Sequence, residues 1–241
     1  MLNLLSTDAL AIEVVRAIQS GDIEALRRLS LQNPGLATAR IDDGKASRSL
    51  LHIATDFPGH FARGKETVAV LISAGADVNA RLIGPHAETP LHWAASCDDV
   101  PVLDALLDAG ADIEASGAVI AGGSPLFDAV AFGQWKAARR LIERGAQTTL
   151  AHAAALGLMD RVVQHFHGGT TPTSERVNHA FWYACHGGQQ PAAEYLLGRG
   201  ADLNWIPSWE NRTALDAAQR EHASDLVQWL RAQGGKSAGE L

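Results

Sequence analysis

Along most of this chain apolar residues recur at spacings of three and four, the period that lines up side chains on one face of an α-helix. The fullest example is residues 88–115, ETPLHWAASCDDVPVLDALLDAGADIEA. Thr89 supplies a hydroxyl N-cap, and Pro90 takes the first helical position, where its missing N–H is no loss. Leu91, Ala94 and Ala95 then predict a short helix with a small-residue face that a neighbour can approach closely. Asp98 and Asp99 interrupt it and offer carboxylates to the start of a second helix, whose apolar stripe is Val102, Leu103, Leu106 and Leu107. Gly110 ends that helix in the left-handed conformation glycine tolerates. The stretch predicts a helix–turn–helix pair, which cannot bury both its faces alone.

The pattern recurs. Ser49 to Ala54 repeats the first-helix motif with ETVAVLISAG as the second helix, and Ser124 to Ala129 repeats it again with QWKAARRLIERG. Weaker pairs are TLAHAAALG with MDRVVQHF, HAFWYACHGG with QQPAAEYLLGRGADLN, and Thr213 to Ala218 with DLVQWLRAQ. TPLHWAA followed by LLDAGADIEA resembles the ankyrin repeat. The resemblance implies an all-α ankyrin-repeat solenoid of stacked helix–turn–helix units with projecting loops, a single ankyrin domain of the bacterial type. Its repeats number about six or seven including degenerate caps. The units fall near 9–42, 47–81, 87–115, 122–147, 148–170, 177–205 and 211–234, within a domain of 9–234, and a polar, frayed tail follows at 235–241.

Residues 9–33 hold two helical patterns without the TPLH motif, as an N-terminal cap would, with Arg27 and Arg28 on the wet side and Asn33-Pro34-Gly35 as the stop. ATARIDDGKASR reads as a projecting loop, and GGTTPTSE as a polar linker. Two spacings depart from the usual ~33 residues. Leu51 and Leu91 are 40 positions apart because Asp56 to Gly64 is inserted, and such insertions sit on one rim of a stack. Leu126 and Leu150 are only 24 apart, so a projecting loop is missing near 145–148.

The resemblance assigns several polar residues to the scaffold. His52 and His92 tie neighbouring repeats together, and Asp77, Asp112 and Asp202 are turn residues. It also implies a concave groove lined by Ile53, Asp56 and Phe57; Trp93, Ser96 and Cys97; Asp128, Ala131 and Phe132; His152, Ala155 and Leu156; Tyr183, His186 and Gly187. Loops add His60, His86, Glu88, Trp205 and Trp209. Aromatic walls with convergent polar groups suit a protein or peptide partner anchored by Phe57, Trp93, Phe132, Tyr183 and Trp205. They also suit a small molecule, with Asp56, His60, His86, Glu88, Asp128 and His186 available for acid–base chemistry. Cys97 and His186 could pair as nucleophile and base, although no elbow motif surrounds Cys97.

Metal binding is not expected. Pro58-Gly59 breaks the helical spacing of His52, Asp56 and His60, and His165-Phe166-His167 reads as a solvated helix end. No cofactor is expected either, since the glycine-rich Ile120 to Pro125 lacks the lysine and strand of a phosphate loop. A formal net charge of −7, with no basic cluster, argues against nucleic acid as a partner. The two cysteines, Cys97 and Cys185, form no disulfide framework, and no apolar run approaches membrane-spanning length. The start of the chain lacks a basic n-region, so the expectation is a cytoplasmic protein without membrane contact.

Overall fold

A computed structural model describes residues 2–167 and 171–241; Gly168, Gly169 and Thr170, the start of the expected GGTTPTSE linker, lie outside the described residues. Among the described residues the fold is all-α, a succession of helix pairs with one small sheet. The chain forms two compact units, Met1–Ala146 and Gln147–Leu241.

The first unit begins with β1 (Asn3–Leu5), α1 (Ala9–Ser20) and α2 (Ile23–Gln32), followed by β2 (Arg40–Asp42) and β3 (Ser47–Ser49). Three helix pairs follow: α3 (Leu50–Ala54) with α4 (Gly64–Ser73), α5 (Pro90–Ser96) with α6 (Val100–Asp108), and α7 (Pro125–Ala131) with α8 (Trp135–Glu143). Leu51, Leu91 and Leu126 of the first helices are fully buried, as are Leu71, Leu103, Leu106 and Leu141 of the second. Ala94, Ala95 and Ala129 are equally inaccessible, which is the close approach their size permits. Between α6 and α8 the Asp104 carboxylate takes a two-oxygen hydrogen bond from Arg140 Nε at 2.8 and 3.0 Å and another from Arg144 at 2.6 Å.

The expected loop at ATARIDDGKASR is instead part of a sheet. β2 pairs in parallel with β1 and antiparallel with β3, and Ser47 bridges on to Ile83. Its alternation is only three residues per strand, too short to stand out from a helical background. Burial of Ile41 and the hydrogen bonds of Arg40 to Ser47 Oγ (3.0 Å) and Arg81 O (2.8 Å) hold it in place.

His52 and His92 each join their own helix start to the next repeat. His92 Nδ1 accepts the Thr89 backbone N–H at 3.1 Å, so the ring proton is on Nε2, which donates to Gly123 O at 3.2 Å. His52 is held by Ser49 Oγ at 2.8 Å, and its Nε2 lies 3.1 Å from Glu88 O. Gly123 and Glu88 each immediately precede the residue that caps the next first helix, Ser124 and Thr89. Asp77 and Asp112 cap turns, accepting from Asn79 N and Glu114 N.

The second unit contains α9 (Leu150–Ala155), α10 (Met159–His167), α11 (Ser174–His186), α12 (Gln190–Gly198), α13 (Ala214–Arg220) and α14 (Ser224–Ala232). α11 starts within the expected linker, because Thr173 caps it by accepting from Arg176 N. The tail expected to fray is tied down instead. Thr213 Oγ1 donates to Lys236 O at 2.8 Å, and Glu240 accepts from Arg231 and from Ser237 N, each at 2.6 Å.

Burial holds His52 neutral, its pKa pushed down to about 4. An unfolded chain protonates that ring near its ordinary value of 6.5. Stability from this group is therefore complete above pH 6.5 and is lost as pH falls towards 4, by at most about 1.4 kcal/mol per pH unit. His52→Ala should lower the unfolding free energy at pH 7 by about 2–4 kcal/mol, since it opens a cavity and leaves buried partners unpaired. It should also lose less stability than the parent between pH 7 and pH 5, and urea denaturation at the two pH values measures both effects.

Candidate functional site

The ends of α3, α5 and α7, with the loops that precede α5 and α7, enclose a pocket of about 470 Å³ in the first unit. It is lined by Thr55, Asp56 and Phe57, by His86 and Glu88, by Trp93, Ser96 and Cys97, and by Val119, Phe132 and Gln134. Eight of these, Asp56, Phe57, His86, Glu88, Trp93, Ser96, Cys97 and Phe132, are residues the sequence nominates. Thr55, Val119 and Gln134 are additions. Val119 lies in a projecting loop with no periodic signal, and only the spatial neighbourhood of Glu88 brings it in.

Glu88 organises the pocket. Its carbonyl accepts from His52 and, at 2.8 Å, from Leu82 N. Its buried carboxylate accepts the Trp93 indole N–H at 2.8 Å and the Val119 N–H at 3.3 Å, and His86 Nδ1 lies 2.8 Å from Oε2. The Trp93 ring also meets His52 in an edge-to-face contact, 5.0 Å between centroids. Asp56 is held by Arg48 at 3.1 Å and accepts its neighbour's N–H, Phe57 N, at 2.9 Å. Burial nevertheless raises its pKa against the pull of Arg48.

Asp128 does not reach the groove surface as expected. It is completely buried beside Glu88, because α7 turns that face towards the preceding loop. Burial first, then the Glu88 charge, push its carboxyl up to about 8. Two acids so placed share one proton at neutral pH. Cys97 is also held protonated: burial, then the charges of Asp56 and Asp99, raise its thiol to about 11. It is a poor nucleophile, and the Ser96 hydroxyl is occupied in donating to His92 O at 2.9 Å.

His60 does not join the pocket. Its Nε2 lies 2.9 Å from Cys97 O, and its backbone N–H donates to Asp99 Oδ2 at 2.7 Å, so the Asp56–Gly64 insertion is pinned to the α5–α6 turn. Gly59 makes that seat possible, since a Cβ there would meet Cys97 Cβ at 2.7 Å. The insertion is thus a bracket rather than a lid.

His152, Tyr183, His186, Trp205 and Trp209 belong to the second unit. His152, Tyr183 and His186 are buried there, not displayed. The longer α11 carries His179, Trp182 and Tyr183 into a cluster with Trp205 and Trp209, with His179 and Trp209 centroids 4.5 Å apart. Burial, then Glu210, push the Tyr183 hydroxyl up to about 12. His186 lies between Arg220 at 3.2 Å and Glu221 at 3.4 Å. Trp209 alone of these five is well exposed, at 44%. Among the described residues no group of three or more His, Cys, Asp or Glu is arranged to hold a metal ion, and no helix is long and apolar enough to cross a membrane.

Helix pairs capped by Ser or Thr and tied forward by histidine define a helical-repeat scaffold. The family model for ankyrin repeats (three copies) matches residues 14–117 and 62–152, and the chain belongs to the ankyrin-repeat family. It is 31% identical over 231 residues to an ankyrin repeat and KH domain-containing protein of Caenorhabditis briggsae. That alignment covers 92% of this chain and 8% of the relative. Ankyrin repeats are generally protein-interaction modules.

The folded chain keeps a proton on Asp128 that the unfolded chain releases near its ordinary value of 3.8. Stability from this group therefore falls as pH rises from about 4 to about 8, by at most about 1.4 kcal/mol per unit, and levels off above. Asp128→Asn should remove that slope. Urea unfolding of parent and variant at pH 5, 6.5 and 8 tests this, and parallel curves would rule out the buried proton.

Proposed function

We propose that this protein is a recognition module that binds a protein or peptide partner through the groove of its first unit, with the pocket around Trp93 as the anchor site. The observation that carries the reading is the rim. Phe57 is 85% exposed, Val119 50% and Phe132 47%, and all three line this one pocket. Large apolar side chains gathered in water around a concavity are a hallmark of a docking face. The pinned insertion supports it too, because a preorganised rim loses little entropy on binding. Two free cysteines, Cys97 and the fully buried Cys185, support a reducing setting such as the cytoplasm.

A small-molecule ligand is the second reading. A 470 Å³ cavity is within the range that small ligands occupy, and a buried acid pair behind its wall supports it. His60 and His186 take no part in that version.

A photo-crosslinking residue placed at Phe57 or at Phe132 should capture the same partner, while one at Leu31, 83% exposed on α2, should not. Equal capture from all three positions would remove the groove from the proposal. A thermal shift from a metabolite set that survives in Phe132→Ala would place any small ligand elsewhere.

A further inference from the structure

The pocket has a marked charge bias as well as aromatic walls. Its ionisable lining residues are Asp56, Glu88, His86 and Cys97, and no Lys or Arg lines it. Arg48 holds Asp56 from the far side and lines the adjoining hollow instead, together with Arg16, Ile12 and Ile53. The negative field is registered at Cys97, where Asp56 and Asp99 add to burial in holding the thiol protonated. A basic group is repelled from the hollow with two arginines and drawn to the pocket with none.

The walls suit a flat cation. Trp93, Phe57 and Phe132 present ring surface, and Trp93 donates its indole N–H to the buried Glu88 carboxylate. Donation to an anion enriches the indole π-system, the property that attracts a cation to its face. Glu88 has about four lone-pair sites, approached by Trp93, Val119, His86 and the protonated Asp128 carboxyl, so it acts on an occupant chiefly through its charge. Asp56 and Gln134 also line the pocket, and each carries a side-chain acceptor. A guanidinium is planar, stacks on aromatic rings and is more weakly hydrated than an ammonium, so it satisfies several acceptors at a smaller desolvation cost.

We infer that the pocket takes an arginine side chain of the partner, its guanidinium against Trp93 and Phe132 and facing Asp56 and Glu88, its stem along Val119. This rests on the groove reading given above. The test is an unbiased displayed-peptide library panned against the whole chain, with hits resynthesised and measured by fluorescence anisotropy.

Selected peptides should share an arginine whose replacement by citrulline, neutral and of the same shape, weakens binding at least about tenfold. Phe132→Ala, at an exposed position where circular dichroism verifies the fold, should weaken binding by a similar factor. Asp56→Asn should weaken the arginine peptide and leave the citrulline peptide unchanged. Peptides lost in Phe132→Ala but carrying an apolar residue in place of arginine would overturn the inference and leave the groove reading standing. Peptides indifferent to Phe132→Ala, or no enrichment at all, would overturn both.

Discussion

One hydrogen bond recurs between repeats of the first unit: the imidazole Nε2 of one repeat against the backbone carbonyl just ahead of the next repeat's first helix. His52 reaches Glu88 and His92 reaches Gly123, each over about one repeat length. The Nδ1 contact fixes the tautomer, because there the ring accepts from its own helix start, and only that contact requires a neutral ring; the Nε2 bond by itself favours protonation and is outweighed by burial. Burial keeps the ring neutral, and packing excludes the water that would compete. Capping, stacking and protonation state are thus one constraint. Replacing the histidine disturbs all three together.

The same constraint sets up the pocket. Glu88 belongs to the stack through its carbonyl and to the pocket through its carboxylate, so the atoms that fix one repeat on another also fix Trp93 and His86 in the wall. A burial this complete is costly for a carboxylate unless donors surround it. Here an indole N–H and a backbone N–H are aimed at it, and the proton on Asp128 limits the acid pair to one charge. The exposed rim of Phe57, Val119 and Phe132 is the opposite case, apolar surface left in water above a satisfied polar floor.

The helix pairs, their caps and the roles of His52, His92, Asp77 and Asp112 were legible in the sequence because each is written within a few residues: a hydroxyl, a proline, an apolar stripe, a glycine. Glu88 and Trp93 could be nominated from family geometry, yet nothing local says that they bond to each other. What stayed hidden depends on partners distant in sequence. The three-residue strands are stabilised by pairing across some 40 positions, from Asn3 to Arg40. His60 is turned outward by Asp99, 39 positions on. Tyr183 and His186 look like groove residues by register, but a helix that begins at Ser174 and a loop that brings Trp205 and Trp209 over it put them inside.

The proton held by Asp128 has a calorimetric consequence. A site whose wall stores an exchangeable proton is a proton-linked site, and seating a positive charge beside Glu88 favours the ionised form of its neighbour. A cationic occupant of the kind proposed would then expel a hydrogen ion into solution, the apparent heat of association would depend on the ionisation enthalpy of the buffer, and affinity would rise as the medium becomes more alkaline. A neutral occupant of the same pocket leaves the proton where it is. Whether protons are released on binding would therefore distinguish a cationic occupant from a neutral one.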